Sequence, residues 1–200
     1  MILWDVDTQV DFMLPDGKLY VPGAEQTAPA MKRLVAAARA AGIVHVASAD
    51  DHELTDDEIS EQPDFEKTYP PHCLRGTRGA RKIPETEQEE PVPITLERLP
   101  ERYFEGREFL LLKKSFDVFT NPNTDRLLEL LDPDEIAVFG VATDVCDDAA
   151  IRGFLQRGRK VRFVEDAARG LDDARVKACT AAWREQEVDF TTVGEVIGSF

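Results

Sequence analysis

Cysteine is scarce in this chain. Cys73, Cys146 and Cys179 are spread over 200 residues, and an odd, sparse set does not make a disulfide framework. Histidine is equally rare, at His45, His52 and His72. Positive charge is also short: 24 Lys and Arg stand against 39 Asp and Glu, a net charge of -15. Such a surface repels phosphate backbones and anionic bilayers, so neither nucleic acid nor membrane is an expected partner. No apolar run approaches the length that spans a bilayer. The opening Met-Ile-Leu-Trp-Asp has no basic region and no small-residue cleavage site, so the expected compartment is the cytoplasm. No glycine-rich turn follows the first apolar run, which argues against a P-loop or a dinucleotide site.

What is present is a βα alternation. Ile2 to Val6 is too short for a helix and reads as a buried strand. An alanine-rich stretch from about Glu25 to Ala41, closed by Gly42, reads as a capped helix. Ile43 to Ala49 is the next strand. The alternation resumes with a strand at Glu108 to Lys113, a helix from Asn123 or Thr124 through Leu131, and a strand at Glu135 to Val141. A helix opened by Thr143 or Asp144 runs to about Arg157, followed by a strand at Lys160 to Val164. A helix from Asp172 to about Glu187, a short strand at Val188 to Thr191 and a terminal helix from Thr192 complete the chain. The pattern predicts one α/β domain over residues 1–200: a three-layer α/β/α fold around a six-stranded, mainly parallel sheet. Residues 50–93 interrupt it with an acidic, proline-punctuated insert that has no sustained period. A loop that long in a compact domain has a task or is disordered.

Ligands of open parallel sheets bind beyond the carboxyl ends of the strands. The pattern brings Asp7, Asp50, Lys113 and Cys146 to that rim. Cys146 falls in the first turn of a helix, where free N–H groups and the helix dipole favour a thiolate and can receive an oxyanion. The alternative is a small buried hydrophobe, the reading that fits mid-helix Cys179 and leaves Cys73 open. Asp7 is placed either to move a proton or to hold the next turn. Of the adjacent Lys113 and Lys114, a continuing strand sends one to the site and the other to solvent. His45 lies inside a strand and reads as a packed residue. Asp50 and His52, joined by His72 from further along the insert, make a carboxylate–imidazole set suited to one divalent ion. The acidic neighbours read equally well as a solvated face.

These segments resemble the isochorismatase-like cysteine hydrolases, in particular their nicotinamidase branch. "DTQVDF" is similar to the family's opening Asp-x-Gln-x-Asp-Phe, "GVATDVC" to its nucleophile segment and "KKSFDVF" to its lysine segment. "DDHEL" with "YPPHCLRGT" is similar to the metal region. The likeness runs from Asp7 to about Gly170.

The resemblance implies a catalytic triad of Asp7, Lys113 and Cys146. It implies a cis peptide between Val141 and Ala142, with Ala142 and Cys146 N–H groups as oxyanion hole. Phe12 and Tyr69 would be the aromatic walls, although the Tyr69 position is often tryptophan in nicotinamidases. Asp50, His52 and His72 would bind the metal, zinc foremost with manganese or iron as alternatives. The implied activity is hydrolysis of nicotinamide to nicotinate and ammonia by a homo-oligomer. A carbamoyl, ureido or other small aryl amide is the nearest alternative substrate. Vinyl-ether hydrolysis, which does not rely on thiol attack, and a binding protein on a retired fold are further off.

Overall fold

The computed structural model describes all 200 residues, Met1–Phe200. Its strands are β1 (Ile2–Val6), β2 (His45–Asp50), β3 (Val92–Ile94), β4 (Glu108–Lys113), β5 (Glu135–Val141), β6 (Lys160–Arg169) and β7 (Asp189–Thr191). Its helices are α1 (Val10–Met13), α2 (Ala28–Ala41), α3 (Thr124–Leu131), α4 (Cys146–Gln156), α5 (Asp173–Glu185) and α6 (Val193–Ile197). The strands form one sheet in the order β3-β4-β2-β1-β5-β6-β7, and every neighbouring pair is parallel. No helix is long and apolar enough to cross a membrane.

The three layers follow from strand alternation. Ile2, Trp4 and Val6 point to one face, where they share a core with Leu127 and Leu128 of α3, Phe154 of α4 and Trp183 of α5. Leu3 points to the other and joins Met31 and Leu34 of α2 and Val193 and Val196 of α6. Strands buried on both faces read as continuous apolar runs, which is why β1 and β5 are visible in the sequence.

The sheet has seven strands, one more than the sequence pattern predicts. The addition, β3, is only three residues long and contains Pro93. It pairs β4 from the sheet edge, where a proline without an N–H is tolerated. β6 is also longer than predicted and continues to Arg169 past an irregularity opposite Val138 and Gly140 of β5. The helix holding the cysteine starts later than expected. Val145 is its N-cap and Cys146 its first residue, and neither Thr143 nor Asp144 caps it. Asp144 instead accepts from the Leu171 N–H (2.7 Å), tying two rim loops together.

Strand order fixes the place of the site. The chain builds outward from β1 through β2 and β4, then returns to lay β5 on the other side of β1. The crevice at such a reversal opens above the carboxyl ends of β1 and β5. Asp7 follows β1 and Cys146 follows β5.

Candidate active site and metal centre

Four polar side chains meet beneath that crevice. Lys113, the last residue of β4, stands in register with Asp50, the last of β2. Its ammonium lies 2.8 Å from Asp7 Oδ2, donates to Asp50 Oδ1 and reaches Cys146 Sγ at 4.0 Å. Asp7 and Lys113 are wholly buried and Cys146 nearly so. Ser48 donates to Asp7 Oδ1 at 2.7 Å. The Lys113 contact to Oδ2 is an ion pair off hydrogen-bond geometry, so that oxygen keeps a free lone pair. Gln9 fixes the frame: its amide oxygen accepts from the Asp50 N–H, and its nitrogen donates to the Asp50 and Ala80 carbonyls.

Burial sets the electrostatics. It pushes the Cys146 thiol well above its ordinary range, against the pull of the Lys113 cation. The lowered thiol pKa expected at a helix start is therefore outweighed in the resting protein. Burial also raises the Asp7 carboxyl; Lys113 opposes the rise and the Asp50 charge adds to it. For Lys113, burial is outweighed by Asp50 and Asp7, and its pKa lies well above the ordinary lysine value. For Asp50, burial is outweighed by Lys113 and the two histidines, which hold it ionised. A cysteine, an ammonium and two carboxylates are thus packed together without solvent between them.

A second cluster shares Asp50. While Asp50 Oδ1 takes Lys113, its Oδ2 lies 3.7 Å from His52 Nε2 and 3.4 Å from His72 Nε2. Glu58 completes the group, 3.8 Å from His52. One ligand atom from each of Asp50, His52, Glu58 and His72 lies within 4.8 Å of every other, and all four residues are buried. His72 Nδ1 donates to the Pro70 carbonyl at 2.7 Å, which leaves its Nε2 for the cluster. His52 Nε2 is buried without a hydrogen-bond partner. Buried imidazole nitrogens are rarely left so, and two imidazoles with two carboxylates are a donor set that suits a divalent transition metal. These residues fit such an ion.

The pocket above is lined by Phe12, Tyr69, His72, Asp50, Ala142 and Cys146, with Glu58, Leu19, Val21, Phe116, Val145 and Leu171. Its free volume is about 20 Å³, room for a water-sized group. The Phe12 and Tyr69 rings lie 5.2 and 6.3 Å from that of His72. Burial raises the Tyr69 hydroxyl to about 12. The Val141–Ala142 peptide is cis. All nine residues singled out from the sequence thus gather at one place: six line the pocket, while Asp7, Lys113 and His52 lie directly behind it. A larger cleft of about 1020 Å³ beside α5 has no cysteine in its walls.

Sequence reasoning missed Glu58, because one acidic residue among many in an aperiodic insert carries no signal of burial. It also missed Ser48 and Phe116. Lys114 departs from its expected solvent position. The strand ends at Lys113, so alternation no longer applies, and Lys114 turns back to donate to Asp56 at 2.8 Å. Arg75 pairs with both Asp51 and Glu53 and offsets part of the negative charge beside the cluster.

Fold and site together define a class: a parallel α/β/α protein with a cysteine, a lysine and an aspartate converging at the sheet's reversal point. The isochorismatase domain model matches residues 2–195, and the chain belongs to that family. At family level it is a cysteine hydrolase. It is 28% identical over 187 residues to the nicotinamidase/pyrazinamidase of Mycobacterium tuberculosis, covering 92% of this chain and 94% of that one. The zinc complex of the Pyrococcus horikoshii pyrazinamidase superposes with a TM-score of 0.75 at 21% identity, over 96% and 98% of the two chains. An isochorismatase-like hydrolase from Alkaliphilus metalliredigens gives 0.80 at 21% identity, over 99% and 97%.

Proposed function

We propose that the protein is a nicotinamidase: an amidohydrolase that converts nicotinamide to nicotinate and ammonia through a thioester on Cys146. The observation that carries this reading is that Asp50 joins two clusters, the Cys146–Lys113–Asp7 group and the His52–His72–Glu58 group, beneath one small apolar pocket. The nicotinamidase/pyrazinamidase relative supports the amide as substrate class.

The thiol proton passes from Cys146 to the free lone pair of Asp7 as sulfur attacks the carboxamide carbon. Lys113 holds Asp7 in place and stabilises the thiolate by its fixed charge. Ala142 and Cys146 N–H groups receive the oxyanion. Asp7 returns the proton to the departing ammonia, leaving the acyl group on sulfur. Water then attacks the thioester and gives its proton to Asp7. Collapse releases the acid, and the proton returns to Cys146. Phe12 and Tyr69 bracket the ring, and the apolar walls exclude bulk water. Asp50, His52, His72 and Glu58 would hold one divalent ion, zinc foremost. Bound there, it supplies a Lewis-acidic anchor for a ring nitrogen. The small cavity admits an aryl amide only with movement of a wall.

Ammonia release from nicotinamide, pyrazinamide, a carbamoyl and a ureido compound tests the reading. Preference for the two ring amides is expected. Faster turnover of the carbamoyl or ureido compound overturns the substrate while keeping the hydrolase.

A further inference from the structure

Beside the cluster, Asp56 and Lys114 make a feature that the proposed chemistry does not use. Asp56 Oδ2 lies 3.2 Å from His52 Nδ1. The same oxygen accepts from Lys114 Nζ at 2.8 Å and from the Glu53 N–H at 2.8 Å. A carboxylate with those two donors accepts from the imidazole as well, which makes His52 Nδ1 the donor and turns Nε2 to the cluster. That is the nitrogen that lies buried in the cluster without a partner. His72 is set differently, by the neutral Pro70 carbonyl. His52 thus relies on a carboxylate, and that carboxylate is held by a lysine on another element. Lys113 and Lys114, consecutive in the chain, serve the nucleophile and the cluster in turn.

We infer that Asp56, clamped by Lys114, is a positioning residue that orients His52 Nε2 toward a bound divalent cation and raises the affinity of the site. Carboxylates behind metal-bound imidazoles fix the ring and raise its basicity. The inference rests on Asp50, His52, Glu58 and His72 being a cation site. The plainer role for Asp56 is to close the turn after Glu53: the Asp56 N–H donates to the Glu53 carbonyl at 3.1 Å while its side chain takes the Glu53 N–H. A turn former has no need of Lys114, and that separates the two roles.

The test is zinc affinity by chelator competition on the full chain, with folding followed by circular dichroism. Wild type, Asp56→Asn, Lys114→Met, Lys114→Arg and the Asp56→Asn/Lys114→Met double variant are compared. Asp56→Asn is expected to raise the zinc Kd about 10- to 100-fold. Lys114→Met should raise it by less, and Lys114→Arg should recover most of that loss. The double variant should match Asp56→Asn alone, because Lys114 acts through Asp56. Wild-type zinc affinity in Lys114→Met, unchanged affinity in Asp56→Asn, or losses that add in the double variant overturn the inference and leave the cation site standing. A wild type that takes up no zinc overturns both. If Asp56→Asn does not fold, the Lys114→Met and Lys114→Arg pair decides alone.

Discussion

In the proposed reaction the buried Cys146 thiol gives its proton to Asp7, so turnover depends on Asp7 being ionised. Burial, partly offset by Lys113, raises that carboxyl above the ordinary 3.8. Activity should therefore fall as pH drops through the raised Asp7 pKa, and the acid limb of kcat/KM should lie above 3.8. A limb at or below the ordinary value contradicts the assignment. Removing the cation has a separate signature. Lys113→Met should lower kcat by about 10³-fold, in the range seen for members of a catalytic unit, and should slow alkylation of Cys146 by iodoacetamide. Asp147, next to the nucleophile, is fully buried and neither of its oxygens is hydrogen-bonded. Burial first, then the charges of Asp7 and Asp144, push its pKa well above 3.8. The folded state therefore favours the protonated form. Its stability penalty is absent below 3.8 and grows as pH rises toward the folded-state value. Asp147→Asn should raise stability at neutral pH by about 1–3 kcal/mol, and the gain should shrink in acid. An equal or lower urea midpoint for the variant at pH 7 contradicts this account.

Elements carry the site to its geometry, and β5 does so under a tight constraint. Gly140 has φ +132°, and a Cβ there would stand 2.1 Å from the Val6 carbonyl oxygen of β1. Gly140→Ala should cost about 3 kcal/mol or more, since it combines a disfavoured backbone region with a backbone clash. A denaturant midpoint within error of wild type would show that β1 and β5 separate more easily than this packing implies. Elements were legible in the sequence where local chemistry sets them. Gly42 closes α2 in the left-handed region, Asp172 caps α5 through the Arg175 N–H, and Thr192 with Glu195 forms a capping box on α6. The βα rim placed Asp7, Asp50, Lys113 and Cys146 because strand ends are marked by a change from apolar to charged residues. The insert was not legible in the same way. Its course is held by isolated bridges such as His52 with Leu74 and Ile59 with Tyr69, which have no period, so Glu58, Asp56 and the direction of Lys114 had no local signature.

At the scale of the whole molecule, the insert and the sheet are joined through the Asp50 cluster, in which Asp50 comes from β2 and His52, Glu58 and His72 from the insert. A cation that binds only the folded chain stabilises it by mass action, about 2.7 kcal/mol at a hundredfold excess over Kd. Zinc should therefore raise Tm by about 5–10 °C, and a His52→Ala/His72→Ala double variant should show no such rise. An equal shift in both proteins would place the cation elsewhere on this strongly acidic surface.

Covalent hydrolysis of nicotinamide at Cys146 passes through an acyl-enzyme that acid quenching during turnover should trap. Mass spectrometry of wild type mixed with nicotinamide should find a nicotinoyl thioester on the peptide that contains Cys146, with ammonia released in step with nicotinate. Cys146→Ala should fold, form no adduct and release no ammonia. Ammonia release by Cys146→Ala at a rate near that of wild type would rule out covalent catalysis by Cys146, whatever the fate of the metal.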